Sequence, residues 1–122
     1  MEVWFFGAAA LITVIATCVH VFLGGRQFVR PLLATDLPPD LKWMAYFMWH
    51  VATVSVGATG VVFGLAATGH AGFGLFGVGF AAAIGLLGMG VAVKSGLGPG
   101  AFPIIFLNTL IVALGLTGVF LT

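Results

Sequence analysis

His20 and His50 stand inside long apolar segments, where an ionisable side chain is by default a candidate for function. Each has polar or small companions at helical spacing. Thr13, Thr17, His20 and Gly24 follow one another at intervals of four, three and four. Tyr46, His50, Thr53, Gly57, Gly60 and Gly64 alternate four and three, so each set is expected to lie along one helix face. Asn108 stands about two turns inside a further apolar segment. With a rise of 1.5 Å per residue, His20 falls ~6 Å from the end of its segment and His50 ~10 Å from Trp43. Antiparallel neighbours are thus predicted to bring the two imidazoles together, at a depth shared with Asn108.

Such a set has several chemical uses. Two imidazoles on facing helices can ligate a metal, or a haem b iron axially, through His20 and His50. Arg26 and Arg30 are then in line for the haem propionates. A quinone or lipid headgroup held by His20, Tyr46, His50, Asn108 and the arginines is a second use, and a proton relay through the imidazoles a third. The plainest use is structural: His, Tyr, Thr and Asn side chains bonding one another across helices at ~0.6 kcal/mol each. Soluble-enzyme chemistry finds no support. The chain has no HExxH, no CxxC, no paired carboxylates and no phosphate-binding glycine loop after a strand.

The elements that must position these groups are legible from charge and hydropathy. The chain has 122 residues, 61% of them hydrophobic and only 6% charged, against roughly 25% charged in soluble domains. Its charged residues are Glu2, Arg26, Arg30, Asp36, Asp40, Lys42 and Lys94. Four apolar stretches lie between them, Val3–Leu23, Trp43–Ala67, Phe73–Val93 and Phe102–Leu121. Each matches the ~20 residues a helix needs to cross the hydrocarbon core. The expected fold is all-α, a single domain over residues 1–122 forming a four-transmembrane-helix bundle with short loops. The first stretch reads as a span rather than a cleaved signal, since no Lys or Arg precedes it. The lone Cys18 reads as a small core residue.

Residues 24–42 form the longest expected loop. Gly24 and Gly25 are expected to stop the first helix, and Asp36 to cap the second, with Pro38 and Pro39 in its first turn. Thr68–Gly72 is a tight turn, and Lys94–Ala101 a Gly/Pro-rich one. Lys and Arg occur only in the first and third loops, which places loops 24–42 and 94–101 in the cytoplasm and both termini in the periplasm. A net charge of +1 gives no reason to expect nucleic acid. The third segment repeats "GLFGVGF" (Gly74–Phe80) as "GLLGMGV" (Gly85–Val91), and Gly74, Gly77, Ala81, Gly85, Gly88 and Ala92 make a small-residue stripe suited to close helix packing.

The stretch "HVFLGGRQFVRPLL…LKWMAYFMWHVAT" resembles uncharacterised small four-helix bacterial inner-membrane proteins. These carry a His at the end of helix one and a Y-x-x-x-H or W-H entering helix two. The resemblance covers the first half of the chain and implies the architecture and a bacterial inner (plasma) membrane setting. It brings no activity and no functional residues. The function expected from the sequence is that of a small membrane subunit or accessory protein without catalysis of its own. Its partners would be the lipid bilayer and either copies of itself or other membrane-protein subunits, as in an energy-transducing complex. The alternatives are a haem-, metal- or quinone-binding redox protein and a small transporter or channel.

Overall fold

The structure, a computed structural model, describes residues 1–122, the side chain of Pro99 excepted. It is all-helical. Helix α1 (Glu2–Val19) runs without a break into a π-helical segment (His20–Val29) and a short α2 (Arg30–Ala34). Helices α3 (Pro39–Ala67), α4 (Gly72–Ser95) and α5 (Pro103–Phe120) follow, with a single 3₁₀ turn at Pro99–Ala101. Four helical stretches, including the continuous Glu2–Ala34, are long and apolar enough to cross a membrane. Four long apolar helices are therefore present, as expected, while their ends move.

The largest change is at the first loop. Gly24 and Gly25 do not stop the helix. The N–H of Arg30 bonds to the carbonyl of Gly25, five residues back, and the chain keeps turning until Thr35 leaves it in an extended conformation. Neither glycine adopts a positive φ, which among the glycines is confined to Gly69, Gly96 and Gly98. Asp36 is not the cap of α3; Pro38 holds that position, with Pro39 as the first helical residue and no side-chain bond to the free N–H groups. A proline there has no N–H to leave unmatched and arrives with helical φ. Gly96, at φ 69°, ends α4 in the left-handed region that a side chain would resist.

Consecutive helices pack antiparallel in a ring, α1 against α3, α3 against α4, α4 against α5 and α5 against α1. The tightest packing lies at the end where the termini meet the α3–α4 turn. There Phe6, Ala9, Phe63, Ala66, Val78, Ala81 and Ile111 form the core. Phe6 and Phe63 are fully buried and reach across the ring. A side chain at Gly74 or Gly118 would collide with the Phe6 ring, and one at Gly115 would meet Val78 and Phe63 at 2.6 and 2.8 Å. Small residues here are seats for two aromatic rings. Further along the same stripe, Gly85 and Gly88 instead face Asn108 and Ile105 of α5. Cys18 points outward and is exposed, not a core residue.

The hydroxyls are satisfied locally. Thr13 donates to the Ala9 carbonyl at 2.7 Å, Thr17 to Thr13, Thr53 to Trp49 and Thr59 to Ser55. Each bond runs one turn back along its own helix, which silences a polar group in an apolar setting without tying helices together.

Candidate functional site

His20 is the first π-helical residue, and its ring lies flat on the indole of Trp49, with centroids 3.8 Å apart and planes within 13°. Phe28 stacks on the same indole at 5.2 Å and 19°. Gly24, midway between them in sequence, sits at the edge of the six-membered indole ring. A Cβ there would collide with that edge, meeting Cζ2 at 3.1 Å. The indole is thus a wedge, edge-on to Gly24, with an aromatic ring one turn to either side. Stacked aromatic pairs contribute ~0.5–1.5 kcal/mol per pair beyond their buried area.

This arrangement explains Gly24 better than a helix stop does. The indole occupies the volume where a side chain would stand. A π-helical stretch is uncommon and tends to occur at functional sites.

Trp49, not His50, meets His20. The buried residues of α3 are Val56, Thr59, Gly60, Phe63 and Ala66. Stepping back by sevens from Phe63 gives Val56 and then Trp49, so Trp49 continues the inward face. The face through Gly64, Gly57 and His50 lies one residue, about 100°, further round. His50 accordingly is exposed and packs edge-on to Tyr46 at 4.6 Å on its own helix, with Trp43 beyond Tyr46 at 5.7 Å. It borders a shallow outer depression with Phe47, Val51, Val54 and Ser55. The expected pairing of the two imidazoles is therefore not formed within one chain, and with it goes the axial pair for a haem iron. Among the described residues no three His, Cys, Asp or Glu side chains gather as a metal site.

The other expected site residues also separate. Asn108 is buried at 5% exposure and lines a cleft between α4 and α5 with Gly85, Met89 and Thr109. Arg26 and Arg30 are exposed, and among the described residues neither forms an ion pair. His70 is exposed in the α3–α4 turn, 3.4 Å from the Thr68 hydroxyl.

What the fold does assemble around His20 is a cavity of about 370 Å³. Its wall comes from α1 and the π segment (Val19, His20, Leu23, Gln27, Phe28), from Trp49, and from the start of α5 (Phe102, Ile104, Leu107). Sequence reasoning found His20 but missed Trp49, Gln27 and Phe28. The available signal was the heptad Trp49–Val56–Phe63, all large and apolar. Against this geometry, no protein-family model, curated protein or solved structure matches the chain.

Proposed function

We propose that the chain is a four-span protein of the bacterial inner membrane that serves as a non-catalytic accessory subunit. It docks on copies of itself or on a larger membrane complex through the α1–α3 hairpin. The observation that carries this reading is the unequal length of the two hairpins. The first helix has 33 residues and α3 has 29, against 24 for α4 and 18 for α5. At 1.5 Å per residue α5 covers ~27 Å, one hydrocarbon thickness, whereas α3 covers ~44 Å. Helix α5 begins level with His20–Gln27 and Trp49, the residues that share a cavity with its first turn. Residues 29–48 therefore run on past it.

This overhang is not a polar surface. Leu41, Trp43, Met44, Phe47 and Met48 are all more than half exposed, on a helix whose charges at that end are Asp40 and Lys42. Its geometry is held from within. Lys42 Nζ donates to the Leu33 carbonyl at 3.4 Å across the turn, and Leu32 is buried. Where it stands clear of the hydrocarbon, an apolar surface calls for a protein to cover it, and methionine adapts readily to a partner's shape.

The test is native mass spectrometry of the protein released in mild detergent. We expect an assembly, either a homo-oligomer or a complex with another membrane protein. The double substitution Phe47→Ser and Met48→Ser is expected to release a folded monomer with unchanged helical circular dichroism. A wild-type protein that is monomeric and alone under these conditions overturns the proposal.

A further inference from the structure

Among the described residues, two buried side-chain nitrogens find no hydrogen-bond partner within the chain, His20 Nε2 and Asn108 Nδ2. Buried polar atoms are nearly always matched, and an orphan calls for a reason. His20 also contributes to the wall of the 370 Å³ cavity, although the Nε2 atom itself is covered. Small-molecule sites begin at roughly this size, ~300 Å³, and combine mostly apolar walls with a few placed polar groups. Here the polar side chains are His20 and Gln27, seven residues apart on the same helix. The aromatic rings are Phe28, Phe102 and the rim of Trp49, whose faces His20 and Phe28 stack on, and Leu23 and Leu107 are aliphatic.

We infer that this cavity binds the carbonyl-bearing ring of a quinone-type amphiphile. Each feature of the wall selects one feature of that ligand. The aromatic surfaces favour a planar head over a branched one. Imidazole and carboxamide N–H groups are donors suited to ring oxygens that can only accept. The position, where α5 begins, keeps the head near the membrane surface and lets an apolar tail leave along the aliphatic side chains. The π segment is what makes the site. It brings His20 and Phe28 onto one indole, and Gly24 between them gives Trp49 its place. The inference concerns binding alone and includes no electron transfer. It is read on the isolated chain, so it stands or falls separately from the docking role of the hairpin.

The experiment uses the full chain carrying Trp4→Phe and Trp43→Phe, which leaves Trp49 as the one tryptophan. It is reconstituted in phosphatidylcholine nanodiscs and titrated with decyl-benzoquinone while Trp49 emission is followed. Saturable quenching is expected. His20→Phe keeps an aromatic ring on the indole and removes both nitrogens. It is expected to raise the half-saturation concentration about tenfold, the usual effect of losing one good hydrogen bond. Gln27→Leu, at an exposed position, is expected to raise it severalfold and decides the matter should His20→Phe fail to fold. Decylbenzene, which lacks ring oxygens, is expected to compete only at tenfold higher concentration or more. Quenching that rises linearly without saturation, half-saturation unchanged in the folded variants, or equal competition by decylbenzene overturns the inference.

Discussion

Phe63 is buried because α4 and α5 leave it room. Gly77 stands under its ring, and a Cβ at Gly115 would come within 2.8 Å of it. With the bundle in lipid, as proposed, the driving force for such packing is close van der Waals contact rather than release of water. Removing the ring should therefore leave a hole that the helices fill only in part. Phe63→Ala is expected to lower stability by about 3–5 kcal/mol, and Gly115→Ala by about 1–3 kcal/mol through overpacking. The two effects should not add. In the double variant Phe63→Leu with Gly115→Ala, the new methyl meets a smaller neighbour, and part of the loss should be recovered. Reversible unfolding in mixed detergent micelles measures all of these. Strict additivity would show that the ring and the glycine are not in contact. By the same reasoning Gly79, near which a Cβ would meet nothing within 4 Å, should accept Ala without loss.

At the scale of the element, the first helix separates two adjacent glycines that the sequence presents as one signal. A Cβ at Gly24 would collide with Trp49, while one at Gly25 would meet nothing within 4 Å. Gly24→Ala should displace the indole, shift Trp49 emission and lower stability by about 1–3 kcal/mol. Gly25→Ala should be neutral or stabilising, because alanine is the better helix former by up to ~1 kcal/mol. Equal effects at the two positions would refute the wedge. The pair also shows where reading from sequence reached its limit. Glycine followed by arginine and proline fits a helix end, and nothing local says that the space at Gly24 is claimed by a ring 25 residues later. Hydropathy and charge set the number of long apolar helices and most of their extents. The inward face of α4 was also legible, because its small residues recur at helical spacing. The face of α3 was not, because two heptads one residue apart compete there. The polar His50 drew attention, and packing chose Trp49. The His20–His50 pairing failed for that one-residue difference of about 100° on the helix.

For the whole molecule, the antiparallel ring carries Arg26, Arg30, Lys42 and Lys94 to one end. It leaves Glu2, paired with the N-terminal ammonium at 3.0 Å, at the other. The cationic end is also where the long hairpin overhangs and where the His20 cavity lies. Orientation in the membrane therefore decides which compartment both face. Lys and Arg in short loops are retained on the cytoplasmic side, so this end is expected in the cytoplasm and both termini outside. A fluorescent protein fused after Thr122 should stay dark, and alkaline phosphatase at the same point should be active. Replacing Arg26, Arg30, Lys42 and Lys94 by Gln while adding three lysines after Thr122 should reverse both readouts, because no other Lys or Arg remains to oppose them. A bright fluorescent fusion on the unaltered chain would place the overhanging hairpin in the periplasm. Its partner would then have to be sought there, and the same apolar surface on Trp43, Phe47 and Met48 would have to be covered by a protein of that compartment.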